Sequence, residues 1–270
     1  MKRYLVVEGP IGVGKTTLAR KLADARNARF IGERLDENPL LERFYEDPAG
    51  HAFQTQLFFL ASRFRQQHLL RHRDLPEGPC VCDYLLAKDR LFAHLNLTGE
   101  ERDLYDQLYA LLAPQVVRPD LVVYLQATTD ELLHRIQARG VAYEQGMERA
   151  YLDQVNEAYK QYFFDYASTP LLVINTTDIN FVDHPDDFDD ILRHIEECPS
   201  STLYYQPPSS RSRRRRGQAA AAWAEGGPPG GGVGAAAESH GRKGWAEGLL
   251  AGGGVGQGRV RTPTVARVAR

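Results

Sequence analysis

The sequence predicts an α/β protein built on a parallel sheet, and three observations carry that reading. Short apolar stretches alternate with longer segments whose apolar residues recur at helical spacing, as in strands joined by crossover helices. Several of those stretches, Tyr4–Val7, Asp120–Leu125 and Leu171–Asn175, are nearly continuous apolar runs, the pattern of strands covered on both faces. The first of them runs straight into a glycine-rich loop and then a helix, a strand–loop–helix unit.

Taken in order, the elements support this. Gly9-Pro10-Ile11-Gly12-Val13-Gly14-Lys15-Thr16 follows the first strand, and Thr17 to Ala25 continues it as an amphipathic helix. Glycines let backbone N–H groups curl around phosphate oxygens, and the helix aims its positive end at them. Lys15 then reaches the β- and γ-phosphates and Thr16 a magnesium ion, so Gly9 to Thr17 reads as a nucleotide site. Arg29-Phe30-Ile31 is a brief second strand presenting Glu33 at its carboxyl end, and Asn38-Pro39 supplies a cap and first position for a helix. A long helix spans about Ala52 to Arg73, with Phe53, Leu57, Leu60 and Phe64 on its apolar stripe. Gln56 and Arg63 are seven residues, two turns, apart and share a face.

Gly78-Pro79 breaks the chain before a third strand, Cys80-Val81-Cys82-Asp83, which ends in an acid. Helices follow at about Ala87 to Asn96 and Glu100 to Ala113, then the fourth strand, Asp120–Leu125. Thr128 and Glu131 form a capping box for a helix ending at Gly140; after it come a helix near 149–166, the fifth strand at Leu171–Asn175 and a helix near 186–197. Five parallel strands flanked by helices place a site outside the strands' carboxyl ends, where Gly9–Thr16, Glu33 and Asp83 all fall.

Composition divides the 270 residues near Pro199. Residues 199–270 hold 15 of the 24 glycines, the run Arg211-Ser212-Arg213-Arg214-Arg215-Arg216, and a Trp-Ala-Glu-Gly…Gly-Gly-Gly-Val-Gly unit at 223–234 and again at 245–256. Such a segment has too few aliphatic side chains to offset its ordering entropy and reads as a disordered low-complexity tail. It carries 11 Lys and Arg against 3 Asp and Glu, a net of +8, leaving 22 against 32, a net of −10, in residues 1–198. A basic arm can bind nucleic acid weakly, but an extension without function explains the composition equally well and is preferred as the plainer reading. Cys80, Cys82 and Cys198 suit neither a zinc knuckle nor a redox pair and read as reduced, packed thiols. No run approaches 18 apolar residues, so the expectation is a soluble, cytoplasmic chain with no membrane partner.

A phosphate loop needs a metal, and Asp83 at a neighbouring strand end is the natural partner of Thr16 in a magnesium shell; its plainer role is to cap the next helix. Glu33 reads equally as a general base for an acceptor hydroxyl and as the partner of Arg34 or Arg43 in a surface ion pair. Arg135 and Arg139 lie four apart on one helix and can close together over a triphosphate, or form a solvated basic face.

From Tyr4 to about Asp178 these residues resemble the deoxyribonucleoside kinases, the family that holds deoxycytidine, deoxyguanosine and bacterial deoxyadenosine kinases. The resemblance implies the P-loop kinase fold with a helical lid, ATP as donor, Mg2+, a deoxyribonucleoside as acceptor, and a homodimer. It also implies residue roles. Glu33 looks like the base that activates the 5′-hydroxyl, and Tyr45 in Tyr45-Glu46-Asp47-Pro48 like the tyrosine that binds the 3′-hydroxyl. Gln56, Arg63 and Asp89 fall where the family reads the base. Arg135-Ile136-Gln137-Ala138-Arg139-Gly140 with Glu144-Gln145-Gly146 and Tyr151-Leu152 resembles the lid, Glu144 sitting where a glutamate holds the 3′-hydroxyl. Two arginines of the pattern are missing: the residue after Asp83 is Tyr84, leaving Lys88 as the cation to substitute for it, and Val141 stands in the lid.

Phe53, Phe58, Phe59 and Phe92 are candidates to sandwich a base, one or two of them touching it and the rest belonging to the core. The Arg63/Asp89 pair argues against a thymidine-only enzyme, and the resemblance implies deoxyadenosine and deoxyguanosine as the leading acceptors, then deoxycytidine. A nucleoside monophosphate kinase of the thymidylate kinase type is the nearest alternative. A GTPase-type switch is opposed by the lack of an Asn-Lys-x-Asp motif, and a nucleic-acid binder would have to act through the tail.

Overall fold

β1 (Tyr4–Glu8) is buried along its whole length and lies inside a parallel sheet of order β2-β3-β1-β4-β5-β6. The other strands are β2 (Arg29–Ile31), β3 (Cys80–Cys82), β4 (Leu121–Gln126), β5 (Leu171–Asn175) and β6 (Thr202–Tyr205). The computed structural model describes residues 2–34, 37–141, 144 and 146–207. β1 pairs with β3 on one side, Val6 opposite Cys82, and with β4 on the other, Val6 opposite Val122. The chain first fills the β3-β2 side of β1 and then crosses from β3 to β4 to fill the other side, and such a switch point opens a crevice at the strands' carboxyl ends. The phosphate loop stands in that crevice, between β1 and α1 (Lys15–Ala25).

The remaining helices are α2 (Leu41–Glu46), α3 (Pro48–Leu69), the short α4 (Leu75–Glu77), α5 (Ala87–Asn96), α6 (Gly99–Leu112), α7 (Thr129–Arg139), α8 (Arg149–Phe164) and α9 (Pro185–Glu197). One apolar core packs α1, α7 and α9 onto one face of the sheet, through Leu18, Leu22, Leu132 and Ile191. A second packs α8 onto the other face, where Tyr124 stacks on Phe163 with ring centroids 4.1 Å apart. A third, around Phe44, Phe59, Leu60, Ala93 and Tyr105, binds α2, α3, α5 and α6 together beside the phosphate loop.

The structure corrects the expected architecture at several points. The sheet has six strands, not five: Thr202-Leu203-Tyr204-Tyr205 pairs in parallel with β5 and turns Leu203 and Tyr205 inward onto the first core. The folded part thus runs past the boundary expected at 198, because four residues of strand pattern were averaged into a glycine-rich composition. α3 starts at Pro48, four residues before the expected Ala52, because Asp47 caps it by accepting from Gly50 N at 3.2 Å. Asn38 is not a helix cap; its Oδ1 accepts from Leu40 N at 3.0 Å in a local turn, and α2 begins at Leu41. α3 ends at Leu69 and the chain continues as a π-helical turn over Leu70–Asp74. Thr128 caps α7 as expected, its Oγ1 accepting from Glu131 N at 3.4 Å, and Gly140 ends the helix at φ 70°. Cys80, Cys82 and Cys198 are free and buried. No described helix is long and apolar enough to cross a membrane. The Arg211–Arg216 run and the repeated tryptophan unit lie outside the described residues.

Candidate active site

The phosphate loop is shaped by glycines in left-handed conformations. Gly12 has φ +82°, and a Cβ there would stand 2.7 Å from Ile136 Cγ1; Gly14 has φ +100°, and a Cβ would stand 2.9 Å from Phe181 Cζ. The loop can pass under both side chains only because these positions have none. Val13 is buried in the core, and Pro10 accepts from Lys15 Nζ at 3.0 Å. Burial, followed by the repulsion of Lys88, lowers the Lys15 pKa to about 8, against the pull of Glu8, Glu33 and Asp83.

Asp83 joins the two halves of the site. Its Oδ2 accepts from Thr16 Oγ1 at 2.6 Å and its Oδ1 from the Glu33 N–H at 2.7 Å, fastening the end of β3 to α1 and to the segment after β2. It does not cap α5, which begins at Ala87 with Leu86 as its cap. A hydroxyl and a carboxylate side by side next to the loop are the hard oxygen donors that fit magnesium, which takes few protein ligands and keeps waters and phosphates for the rest.

Glu33 makes neither of the surface pairs considered for it. Arg34 pairs with Glu37 instead, while the Glu33 carboxylate is buried between two cations brought by α3 and α5. Its Oε1 accepts from Arg63 Nε at 2.9 Å and also from an Arg63 terminal nitrogen; its Oε2 accepts from Lys88 Nζ at 2.6 Å. Burial alone would raise the Glu33 pKa, but Arg63 and Lys88 reverse this and hold it well below the usual carboxylate range. Arg63 reaches on to Asp89 Oδ1 and lies 4.7 Å over the Phe59 ring. Asp89 is raised to about 6, burial outweighing the attraction of Arg63. Tyr84, where the sequence pattern lacks its arginine, is buried in the second core.

Next to Glu33 lies a cavity into which Tyr45, Gln56, Arg63, Lys88, Arg139 and Glu144 all face. Asp89 does not line it and stands behind Arg63. Of the four candidate aromatics Phe59 and Phe92 line the cavity, whereas Phe53 packs in the third core and Phe58 is absent from the wall. Gln56 Oε1 and Thr55 Oγ1 are buried there without a hydrogen-bond partner among the described residues. Buried polar atoms left unpaired are costly, so a ligand edge offering donors would be held there.

The two helix arginines do not close over one point. Arg135 bonds Glu131 Oε1 at 2.7 Å, Val13 O at 3.1 Å and Thr176 O at 2.7 Å, which spans α7, the phosphate loop and the end of β5. It lines a second cavity with Gly14, His134, Asn180 and Phe181. Arg139, at the last residue of α7, turns into the first cavity and pairs with Glu144. Arg135 sits one turn deeper, where backbone carbonyls capture it. Lys21 holds the wall of the second cavity on α1 by donating to the Phe181 and Val182 carbonyls, each at 2.9 Å.

Sequence reasoning missed Glu8. It is buried beneath the loop and accepts from Gly9 N at 2.9 Å, Leu85 N at 2.7 Å and Tyr159 OH at 3.0 Å. Burial raises its pKa, while Lys88 and Lys15 oppose the rise. An acid ending an otherwise apolar strand beside the loop was the available signal. Phe44 in the cavity wall was missed as well, since it looks like a core aromatic, while Tyr151, expected with the lid, also lines the cavity.

A phosphate loop at the switch point, tied through Asp83 to the backbone of Glu33, whose buried carboxylate borders a polar cavity, defines a phosphotransferase acting on a small acceptor. The chain belongs to the deoxynucleoside kinase family, whose model matches residues 5–199. It is 33% identical over 199 residues to a deoxyguanosine kinase of Bacillus subtilis (strain 168), covering 72% of this chain and 96% of that protein. A deoxyadenosine kinase of Dictyostelium discoideum is 33% identical over 186 residues, covering 67% of this chain and 74% of that one. Among solved structures, deoxyadenosine kinase from M. mycoides with bound dATP superposes with a TM-score of 0.61 at 20% identity, covering 72% and 99% of the two chains. The protein is thus a transferase that phosphorylates nucleosides, and the monophosphate kinase alternative is not favoured.

Proposed function

We propose that the protein transfers the γ-phosphoryl group of ATP to the 5′-hydroxyl of deoxyadenosine or deoxyguanosine, with deoxycytidine as a poorer acceptor. The observation that carries this reading is the position of Glu33, buried at the seam between the phosphate loop and a cavity with unpaired polar atoms. The acceptor oxygen forms its bond to the γ-phosphorus while the bond to the bridging oxygen breaks, leaving ADP, and Glu33 takes the hydroxyl proton. Lys15 and the loop N–H groups hold the donor phosphates. Thr16 and Asp83 would hold magnesium, which would neutralise phosphate charge. Arg139 adds positive charge from the lid side, and Arg135 contributes at the second cavity, which borders the loop through Val13 and Gly14 and suits the rest of the donor. Tyr45 and Glu144 would hold the sugar 3′-hydroxyl, with Gln56 reading the base and Arg63, backed by Asp89, completing the polar wall.

The relatives' names support a purine deoxyribonucleoside as acceptor. A cytoplasmic homodimer is part of the same reading, and light scattering on the purified chain tests the assembly. The tail beyond Pro207 is taken to be dispensable for catalysis, any contact it makes with nucleic acid being weak.

The test is phosphorylation of the four deoxyribonucleosides and their 5′-monophosphates, each with ATP and magnesium, on the full chain and on a chain ending at Pro207. Turnover of deoxyadenosine or deoxyguanosine by both, with the monophosphates inert, is the expected result. Turnover of a monophosphate alone would overturn the acceptor.

A further inference from the structure

Both oxygens of Glu33 are occupied by cations, Oε1 by Arg63 and Oε2 by Lys88. A carboxylate neutralised in this way is a poor proton acceptor, so one cation has to withdraw before Glu33 can serve an acceptor hydroxyl. The two differ in their freedom to do so. Arg63 is pinned at both ends, by Glu33 and by Asp89, and its guanidinium lies over Phe59. A planar, bidentate group of that kind is fixed by its partners.

Among the described residues the Lys88 ammonium makes one hydrogen bond, to Glu33 Oε2, and it lies 5.6 Å from the centroid of the Phe92 ring. It projects on a flexible four-carbon stem from the first turn of α5, and it lines the same cavity as Lys15, Gly12 and Thr16. Its charge already acts on Lys15, whose pKa it helps to lower. The flexible stem lets the ammonium turn from Glu33 toward the loop residues that share its cavity. Two ammonium groups near each other repel in the free protein, and a polyphosphate between them converts that repulsion into attraction.

We propose that Lys88 is a mobile counter-charge: it occupies Glu33 Oε2 in the free protein and moves onto the γ-phosphoryl group when donor and acceptor are both bound. The acceptor hydroxyl then takes the place of the ammonium on Oε2. The new bond forms from the acceptor oxygen to the γ-phosphorus, the bond to the bridging oxygen breaks with its electrons on ADP, and the hydroxyl proton passes to Glu33. Lys88 keeps its protons throughout. The proposal rests on the nucleoside kinase reading and adds to it a catalytic cation delivered from α5.

The experiment compares the full chain with its Lys88→Met variant. Deoxyguanosine and deoxyadenosine binding is measured by calorimetry without ATP, and kcat is measured with saturating ATP and magnesium. In Lys88→Met nothing competes with the hydroxyl for Oε2, so nucleoside binding is no weaker and up to about tenfold tighter, while kcat falls about 10²-fold or more for want of charge on the moving phosphoryl group. That split has a sign that damage to the cavity would not produce. An unchanged kcat, or a lower kcat together with weaker nucleoside binding, would overturn the role of Lys88. If Lys88→Met does not fold, Lys88→Gln, which keeps a donor for Glu33 without the charge, carries the same kcat expectation and is overturned by an unchanged kcat. Absence of turnover by the unsubstituted chain overturns the kinase reading and this inference with it, whereas turnover by that chain isolates the test to Lys88.

Discussion

Asp89 carries a stability cost that a single atom exchange should remove. It is fully buried; its Oδ1 takes a bond from Arg63, and its Oδ2 has no hydrogen-bond partner among the described residues. Burial raises its pKa from 3.8 to about 6, with Arg63 only partly offsetting the rise and Glu33 adding to it. A carboxyl raised on folding binds its proton more tightly in the native than in the unfolded chain. Ionised Asp89 therefore destabilises the fold, fully above about pH 6, and the cost fades as pH falls from about 6 to 3.8. Its size is about 3 kcal/mol. Asn copies the neutral form and keeps an oxygen for Arg63. Asp89→Asn should then be more stable than the unsubstituted chain by up to about 3 kcal/mol at pH 8, a urea midpoint higher by on the order of 1 M. The gain should shrink through pH 6 to 4 and vanish below that. Urea unfolding at half-unit steps from pH 4 to 8 measures it. A variant less stable at pH 8, or a difference that does not change with pH, would refute the reasoning, because it would mean that Arg63 holds Asp89 ionised at a net gain.

Other outcomes follow from the same geometry. Glu33→Gln should lower kcat by about 10²–10⁴ with little effect on the KM for ATP, in steady-state kinetics on the preferred nucleoside; a loss below tenfold would leave Glu33 only a positioning part. Gly12→Ala puts a methyl 2.7 Å from Ile136 Cγ1 and 2.9 Å from Leu132 O at φ +82°. It should cost about 1–3 kcal/mol, seen as a lower melting temperature, and raise the KM for ATP. Thr16→Ala removes the 2.6 Å bond to Asp83 and an oxygen for the metal, so the half-saturating magnesium concentration should rise about tenfold in a titration of activity while nucleoside binding without ATP stays unchanged.

The parts of this protein readable from sequence are those set by neighbours in the chain. β1, its glycine loop and α1 follow one another without interruption, and the left-handed turns at Gly12 and Gly14 need the residues found there. Acids expected at the carboxyl ends of strands meet because parallel strands bring their ends to one edge, which is how Glu33 N comes to bond Asp83. Gln56 and Arg63 face one cavity because a helix repeats its faces every two turns. β6 was hidden by its surroundings, since a four-residue edge strand followed by glycine and arginine tracts has no periodicity long enough to stand out. Asn38 caps no helix because α2 begins only at Leu41, and Asp47 caps the following helix, α3; capping depends on where the chain turns, and packing decides that.

Which charge meets which lay outside the sequence pattern. Arg34 is the chain neighbour of Glu33, yet the carboxylate bonds Arg63, 30 residues on, and Lys88, 55 residues on, because α3 and α5 pass over the end of β2. Arg135 and Arg139 share a helix face but part company, since one meets carbonyls of the loop and of β5 while the other leaves the helix end for Glu144. Local order along the chain thus determined the phosphate loop, strands β1 to β5 and the face of α3 that bears Gln56 and Arg63. The partners and protonation of Glu33, Asp89 and Lys15 were decided only by the tertiary structure, because burial and nearby charge depend on every element that packs around a group and not on its position in the chain.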